Sequence, residues 1–290
     1  MKPGFDYLKP ATLAEARALR QAAAEALFVA GGTDVIPLIK KGVLAPAKLI
    51  SLRGIEELKG ISESGEKIEI GSGTTLRELE KSALVAELFP ALHDAVVDMA
   101  SVQIRNVATL AGNIVNASPG ADSAAPLLVH AAQVVIAGAD GGRCFMPLEE
   151  FFLGPKRVAL AAGELVKSFL LPRPRPGSGS AYIKFMKRKA MDLAHVGVGV
   201  WLLADAEKRC REIRIALATV GPTPFRARRA EEFLGGRILD AETLHQAAEI
   251  AAGECSPIDD FRGRAWHKLE VVKSSLVRAA ATALQRARGD

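Results

Sequence analysis

The sequence predicts an α+β protein built from three lobes. Short apolar runs that suit buried strands end at glycine-rich turns, and helix starts with a Thr-x-x-Glu capping box, at Thr12 and Thr75, lie among them. Hydrophobic residues make up 49% of the 290-residue chain, which is enough for a continuous core. The predicted lobes are residues 1–55, 56–175 and 181–290.

The first lobe is predicted as a small βαβ-like unit. A helix follows the Thr12 capping box and continues to about residue 24, because the Thr12 hydroxyl and the Glu15 carboxylate can satisfy N–H groups at the helix start. Strands are predicted at residues 27–30 and 48–52. The first of these strands ends at a double-glycine turn.

The second lobe begins with a strand that superficially resembles the start of a dinucleotide-binding βαβ unit. Residues 67–70 lead into Gly71-x-Gly73, but Leu76 replaces the third glycine that close helix–strand packing needs, so we reject a Rossmann site. Thr75 instead opens a helix. The remaining predicted elements are a helix at 91–100, hairpin strands at 133–137 and 144–146 around a turn at 138–142, and a strand at 164–171.

A proline- and glycine-rich segment at residues 172–180 marks the start of the third lobe. This lobe is predicted to contain strands at 181–186, 195–203 and 212–220, followed by helices at 227–234, 241–252 and 266–288.

Two stretches combine glycine with hydrogen-bonding side chains. In residues 28–35, Gly31 and Gly32 allow a tight turn whose N–H groups can form an anion-binding nest. We predict residues 101–126 to be a ligand-binding loop system in which Gly112 lets the main chain approach a ligand. Either stretch alone is as well explained by an ordinary turn or connection.

Together the two stretches resemble the FAD-binding subunit of molybdenum hydroxylases, the family of xanthine dehydrogenase and carbon monoxide dehydrogenase. The motifs that carry the resemblance, weak singly but specific in this order, lie at 30–34, 103–106, 109–113, 117–122 and 192–197. The resemblance implies a two-lobed FAD-binding domain of the PCMH type followed by a C-terminal α+β domain.

The resemblance also implies FAD held noncovalently between the first two lobes and the edge of the third, since neither motif contains cysteine or histidine. The positions that match the family's cofactor contacts are Ala30, Gly31, Gly32, Thr33, Asp34, Val35, Thr109, Gly112, Asn113, Asp122, Val166 and Lys184. The family usually has two glycines in the second motif, and Ala111 stands at the first of them.

Three of these positions also have plainer interpretations. Lys184 matches a lysine near the flavin ring, where its charge would favour negative charge on the ring, but it could be an exposed lysine on a strand. Asp122 could be a turn-forming aspartate. Val166, with its neighbour Leu165, could belong to the core of a strand.

Other chemistries find little support in the sequence. Cys144, Cys210 and Cys255 are far apart, and the five histidines show no ligand spacing, so we expect no metal, disulfide or catalytic residue in this chain. A net charge of +5 and short basic clusters at 184–189 and 226–229 do not indicate nucleic-acid binding.

The hydropathy pattern does not predict a membrane span. No apolar run reaches the roughly 18–20 residues that a span needs, and the first residues lack the apolar stretch of a signal peptide. We therefore expect a cytoplasmic protein.

The resemblance implies an oxidoreductase subunit that passes electrons from iron–sulfur clusters through FAD to a soluble acceptor. It further implies two partner chains, a small subunit with [2Fe–2S] clusters and a large subunit with molybdopterin that selects the substrate, assembled as a dimer of heterotrimers. The alternatives are a cofactor-free assembly scaffold and a stand-alone FAD oxidoreductase, although no separate substrate domain or base is visible.

Overall fold

The computed structural model describes residues 4–138, 141–188 and 191–289. Within these ranges, one three-stranded parallel sheet and two larger antiparallel sheets are surrounded by helices, and a two-stranded ribbon completes the strands. The predicted α+β class is confirmed. No helix in the described ranges combines the length and the apolar character needed to cross a membrane.

The first sheet is formed entirely before residue 52. Its region contains, in chain order, β1 (Asp6–Leu8), α1 (Leu13–Ala22), β2 (Leu27–Val29), α2 (Val35–Lys40) and β3 (Lys48–Ser51). The strands are parallel in the order β1-β3-β2, so the carboxyl ends of β2 and β3 lie side by side. Helix α2 is not predicted by the sequence patterns.

The two predicted capping boxes differ in one contact. At the start of α1, the Glu15 N–H donates to the Thr12 hydroxyl at 3.1 Å, but the Glu15 carboxylate accepts from the Ala11 N–H at 2.8 Å, one residue before the expected donor. At Thr75 both bonds of the box form, with Glu78, as predicted.

The second sheet is antiparallel in the order β4-β5-β10-β6-β7. A 3₁₀ turn (Glu56–Leu58) precedes it, and its region contains β4 (Ile61–Ser64), β5 (Lys67–Gly71), α3 (Leu76–Lys81), α4 (Ala83–Leu88), α5 (Pro90–Val97), α6 (Val102–Arg105), α7 (Leu110–Val115), α8 (Ala124–Val129), β6 (Gln133–Ala137), β7 (Arg143–Pro147), α9 (Leu148–Phe151), β8 (Phe152–Gly154), β9 (Arg157–Val158) and β10 (Leu165–Pro172). Strands β6 and β7 pair as the predicted hairpin. Two residues of its turn, Ala139 and Asp140, lie outside the described residues.

The prediction of a loop system at 101–126 is wrong, because three short helices (α6, α7 and α8) occupy much of it. The Ser101 hydroxyl caps α6 by accepting from the Ile104 N–H, and the Thr109 hydroxyl caps α7 by accepting from the Gly112 N–H. These caps stabilise two short helices, of which α7 contains the weak helix formers Gly112 and Asn113. Burial of the apolar side of α7 stabilises this helix further.

The third sheet is antiparallel in the order β11-β12-β13-β14. Its region contains β11 (Ser178–Phe185), β12 (Val196–Ala204), β13 (Cys210–Ala218), β14 (Phe225–Arg226), α10 (Arg228–Leu234), α11 (Ala241–Ala252) and α12 (Ala265–Arg288). Helix α12 lies directly on β11, since a Cβ added at Gly179 would stand 2.1 Å from the Ala283 carbonyl oxygen. The predicted strands and helices of this region are present, with ends shifted by a few residues.

The second and third sheets share a core. Tyr182, Trp201 and Ala216 from the third sheet belong to the same buried cluster as the helices and strands of the second. The division into lobes at residues 55 and 175 stays a prediction. This packing matters for the site because it fixes β11 against α5 and α8.

Candidate functional site

The first glycine turn connects β2 to α2, and its two glycines are required for different reasons. A Cβ added at Gly31 would stand 2.1 Å from the Val107 carbonyl oxygen, so this residue allows the turn to pack against the chain just before the second motif. Gly32 has a φ of +72°, a conformation that residues with a Cβ rarely adopt. The protein's own geometry therefore requires both glycines.

The turn presents a row of unpaired donors. Across the described part of the chain, no acceptor is bonded to the backbone N–H groups of residues 31–35. Thr33 and Val35 are partly exposed, and Asp34 does not cap α2 with its side chain. Successive N–H groups without partners in a tight turn form a concave binding site for an anion.

In the second motif, residues 109–113, most backbone N–H groups already donate hydrogen bonds within the protein. The Thr109 oxygens accept the N–H groups of Gly112 and Asn113, each at 3.1 Å, and the Leu110 N–H donates to the Thr74 carbonyl oxygen at 3.1 Å. Among the described residues, the Ala111 N–H has no acceptor. A ligand can still approach Gly112, where an added Cβ would meet only the Thr109 hydroxyl, at 3.1 Å.

The fold brings the two motifs together. Gly31 packs against Val107 and Ala108, which directly precede Thr109. At the other end of α7, the Asn116 amide donates to Asp34 Oδ1 at 3.1 Å. Two stretches that are about eighty positions apart in sequence therefore form one continuous surface.

A cavity of about 410 Å³ opens beside this surface. It is lined by Ala30, Leu52, Arg53, Lys59, Gly73, Thr75, Arg77, Glu78, Asn106, Val107 and Thr109. Three of these residues are cationic. Lys59 pairs with Glu56 and Arg77 with Glu80, each at 2.7 Å, whereas the exposed Arg53 side chain has no partner among the described residues.

Sequence reasoning did not identify these three cations as site residues. The signal for Arg53 is topological: it follows β3, whose carboxyl end lies beside that of β2 in the parallel sheet. Ligands of parallel sheets bind outside the carboxyl ends of the strands. Lys59 and Arg77 come from the region of the second sheet and could not be placed without the tertiary structure.

Asp122 and Lys184 meet in a buried ion pair. Lys184 Nζ donates to Asp122 Oδ2 at 3.0 Å and to the Asp98 carbonyl oxygen at 3.2 Å, while the Tyr182 hydroxyl donates to Asp122 Oδ1 at 3.0 Å. Only 1% of the Lys184 side chain is exposed. Lys184 is therefore not the exposed lysine of the plainer interpretation, and both charges are satisfied within the protein.

Burial dominates the electrostatics of this pair. It raises the pKa of Asp122 above the ordinary aspartate value, and the charge and hydrogen bond of Lys184 oppose that rise. Burial also raises the pKa of Tyr182 well above its ordinary value, and the Asp122 charge adds to the effect. The Tyr182 hydroxyl is therefore a permanent donor to the carboxylate.

Two further predicted positions, Asn113 and Val166, do not line the cavity. The Asn113 side-chain oxygen accepts from the Ser123 hydroxyl at 2.6 Å, which ties α7 to α8. Val166 is 4% exposed and packs in the main core cluster, and Leu165 packs in the smaller cluster around α1 and β3. Little of the Val166 surface is available to a ligand in this conformation.

Metal-ligating and nucleophilic groups do not gather in the described ranges. No three His, Cys, Asp or Glu side chains there are arranged to hold a metal ion. Burial raises the pKa of the Cys210 thiol to about 11 and that of Cys255 to about 12, so both are protonated near neutral pH. Of the basic cluster at 184–189, Lys189 lies outside the described residues.

Comparison with known proteins matches nearly the whole chain to the family that its sequence motifs resemble. Residues 3–174 match the family described as the FAD binding domain in molybdopterin dehydrogenase, and residues 181–283 match the CO dehydrogenase flavoprotein C-terminal domain. The carbon monoxide dehydrogenase medium chain of Hydrogenophaga pseudoflava is 34% identical over 98% of both chains. The putative xanthine dehydrogenase FAD-binding subunit of Escherichia coli strain K12 is 32% identical over 98% of this chain and 97% of its own length.

A solved structure shows the same fold. Reconstituted CO dehydrogenase from Oligotropha carboxidovorans contains a chain that superposes with a TM-score of 0.93 at 32% identity, covering 99% of this chain and all of that one. The comparisons and the paired glycine motifs agree, and the chain belongs to the FAD-binding flavoprotein subunits of the molybdopterin dehydrogenase family.

Proposed function

We propose that the chain is the electron-transfer subunit of a molybdenum-containing dehydrogenase complex, receiving electrons from [2Fe–2S] clusters of a partner and passing them to an external acceptor. The observation that carries this proposal is the row of unpaired N–H groups at residues 31–35, beside a cavity lined by cations. The diphosphate of FAD is an anion of the kind that such a donor row binds.

The residues present fit the cofactor. Backbone donors of Thr33, Asp34 and Val35 would hold the diphosphate, and Arg53 would contribute a charge that no carboxylate among the described residues neutralises. Gly112 would allow close approach on the opposite side. FAD is held noncovalently in this proposal, since neither motif contains cysteine or histidine.

The residues of this chain bind and orient the cofactor. Bound FAD supplies a redox centre that takes up and releases electrons. The Asp122–Lys184 pair, two positions that match family contacts, and the Tyr182 hydroxyl supply fixed charges and a donor where β11 packs against the second sheet's region. Residues of the two glycine motifs supply the phosphate contacts. No catalytic acid or base is assigned to this chain.

The names of the relatives support a complex of several chains. They are named medium chains or FAD-binding subunits of dehydrogenases, and they match this chain end to end. We therefore propose a small iron–sulfur partner and a large molybdopterin partner, assembled as a dimer of heterotrimers. This chain's three dispersed cysteines cannot supply the four ligands of an iron–sulfur cluster.

Binding of FAD is the first test. Purified chain titrated with FAD should show noncovalent flavin absorbance and a raised melting temperature, with a stabilisation of about 2.7 kcal/mol when free FAD is 100 times Kd. Arg53→Ala should weaken binding about tenfold without changing the apo melting temperature, as expected for a charge-assisted contact. Arg143→Ala, an exposed arginine on β7, is the matched control.

The two alternative functions, a cofactor-free scaffold and a stand-alone FAD oxidoreductase, predict different outcomes. A cofactor-free scaffold would show no flavin absorbance and no FAD-dependent stabilisation. A stand-alone oxidoreductase would bind FAD and oxidise an organic substrate without molybdenum or iron. Co-purification from the native source with metal analysis separates this rival from the subunit assignment, which predicts molybdenum and iron in partner chains.

A further inference from the structure

A third segment of the chain contacts the site from outside both glycine motifs. Lys156 lies in the turn between β8 and β9, with a φ of +60°. Its N–H donates to the Ala117 carbonyl oxygen at 2.9 Å, and its ammonium group donates to Asn116 Oδ1 at 2.8 Å. The backbone and the side chain of one residue therefore fasten the β8–β9 turn to the end of α7.

The contact continues to the first motif. Asn116 uses its amide nitrogen to donate to Asp34 Oδ1 at 3.1 Å. An ammonium group can only donate, and an ionised carboxylate can only accept. These two neighbours therefore allow a single orientation of the Asn116 amide, with its oxygen towards Lys156 and its NH₂ group towards Asp34.

This arrangement leaves Asp34 with one committed and one available oxygen. Oδ1 accepts from Asn116, whereas Oδ2 has no donor among the described residues, and the side chain does not cap α2. The carboxylate stands within the row of unpaired N–H groups at 31–35. Next to an anion-binding turn, a carboxylate is an unfavourable neighbour unless it accepts a hydroxyl and a nearby cation offsets its charge.

We propose that Lys156 is a positioning residue of the cofactor site, acting through Asn116. It orients the Asp34 carboxylate so that the free oxygen accepts a polyol or sugar hydroxyl of the bound dinucleotide, and its charge offsets that of Asp34 beside the phosphates. This role rests on the proposed function, because it requires that the 31–35 turn binds FAD.

The test compares two lysines in equivalent backbone conformations. Lys156→Met removes the ammonium group, Lys156→Arg keeps a donor and a charge, and Lys208→Met is the control, because Lys208 is an exposed turn lysine with a φ of +62°. Loss of the contact that orients Asp34, and of the charge that offsets it, predicts FAD binding about tenfold weaker in Lys156→Met. We expect Lys156→Arg to restore most of the affinity and Lys208→Met to leave it unchanged, with apo melting temperatures equal in all variants.

A double-mutant cycle tests whether the effect passes through Asn116. Asn116→Ala should weaken FAD binding, and the loss in the double variant should be clearly smaller than the product of the two single losses, because both side chains act through the same contact. Multiplied losses in the double variant would overturn the proposed connection. Lys156→Met that binds FAD as tightly as the wild type would overturn this role alone, whereas a wild-type chain that binds no FAD would overturn the proposed function as well.

Discussion

The turn at residues 31–35 and the pair of Asp122 and Lys184 are both predicted to contact the cofactor, but their surroundings in the fold differ. The turn is partly exposed, and its N–H groups have no partners among the described residues. The ion pair is buried, and each charge already has partners within the protein. Open donors indicate a site prepared for a ligand, whereas satisfied charges also carry part of the fold's stability.

The largest expected effect comes from breaking the buried pair. Lys184→Met leaves the Asp122 carboxylate buried without its counter-charge, which should lower the free energy of unfolding of the FAD-free protein by about 3–5 kcal/mol. Urea denaturation measures this loss. The double variant Asp122→Asn/Lys184→Met should recover much of it, and a loss below about 1 kcal/mol in the single variant would show that the pair is not a structural element.

Substitutions of the two motif glycines, Gly31 and Gly112, should affect stability and FAD binding differently. Gly31→Ala places a methyl group 2.1 Å from the Val107 carbonyl oxygen, and we expect about 3 kcal/mol of destabilisation, the upper end for overpacking. Gly112→Ala meets only a hydroxyl at 3.1 Å and should leave stability unchanged or raise it by up to about 1 kcal/mol. FAD affinity should nevertheless fall in Gly112→Ala. Unchanged affinity there would show that the ligand does not approach α7.

A buried histidine next to β11 predicts a pH dependence of the fold. Burial, assisted by the Arg214 charge, lowers the pKa of His130 to about 3, and its ring contacts the Ser180 hydroxyl at 3.2 Å. The unfolded chain, with a pKa near 6.5, binds the proton first, so stability is full above about pH 6.5 and falls as the pH decreases towards 3. The expected loss between pH 7 and pH 5 is about 2 kcal/mol.

Urea denaturation at the two pH values measures this loss. The difference should shrink in His130→Gln and persist in His245→Gln, which changes an exposed histidine. An undiminished difference in His130→Gln would assign the pH dependence to other groups.

Local patterns predicted those parts of the fold that local forces decide. The Thr75 capping box appears as expected because hydrogen bonds within four residues determine it, and the long strands of the third sheet appear because their apolar runs are buried almost continuously, as in β12. The helices within 101–126 were missed because Gly112 and Asn113 disfavour a helix, and the caps and core packing that overcome this preference are visible only in the structure.

Long-range contacts decide the rest of the candidate site. The resemblance to the family identified both glycine motifs, but not the reason for Gly31, which is the close approach of Val107. It also could not reveal that Lys184 meets Asp122, because the two are 62 positions apart and the pair depends on the packing of β11 against the second lobe. Arg53 could be recognised as a site residue only once the strand order of the parallel sheet was known.

The central claim is that the N–H groups of residues 31–35 bind the phosphates of FAD. Hydrogen–deuterium exchange of this segment, measured with and without saturating FAD, tests it most directly, because amides without acceptors exchange rapidly and gain protection when a ligand accepts their hydrogen bonds. We predict that bound FAD slows exchange at residues 31–35 and leaves the exposed turn around Lys208 unchanged. Saturating FAD binding with unaltered exchange at residues 31–35 would contradict the claim.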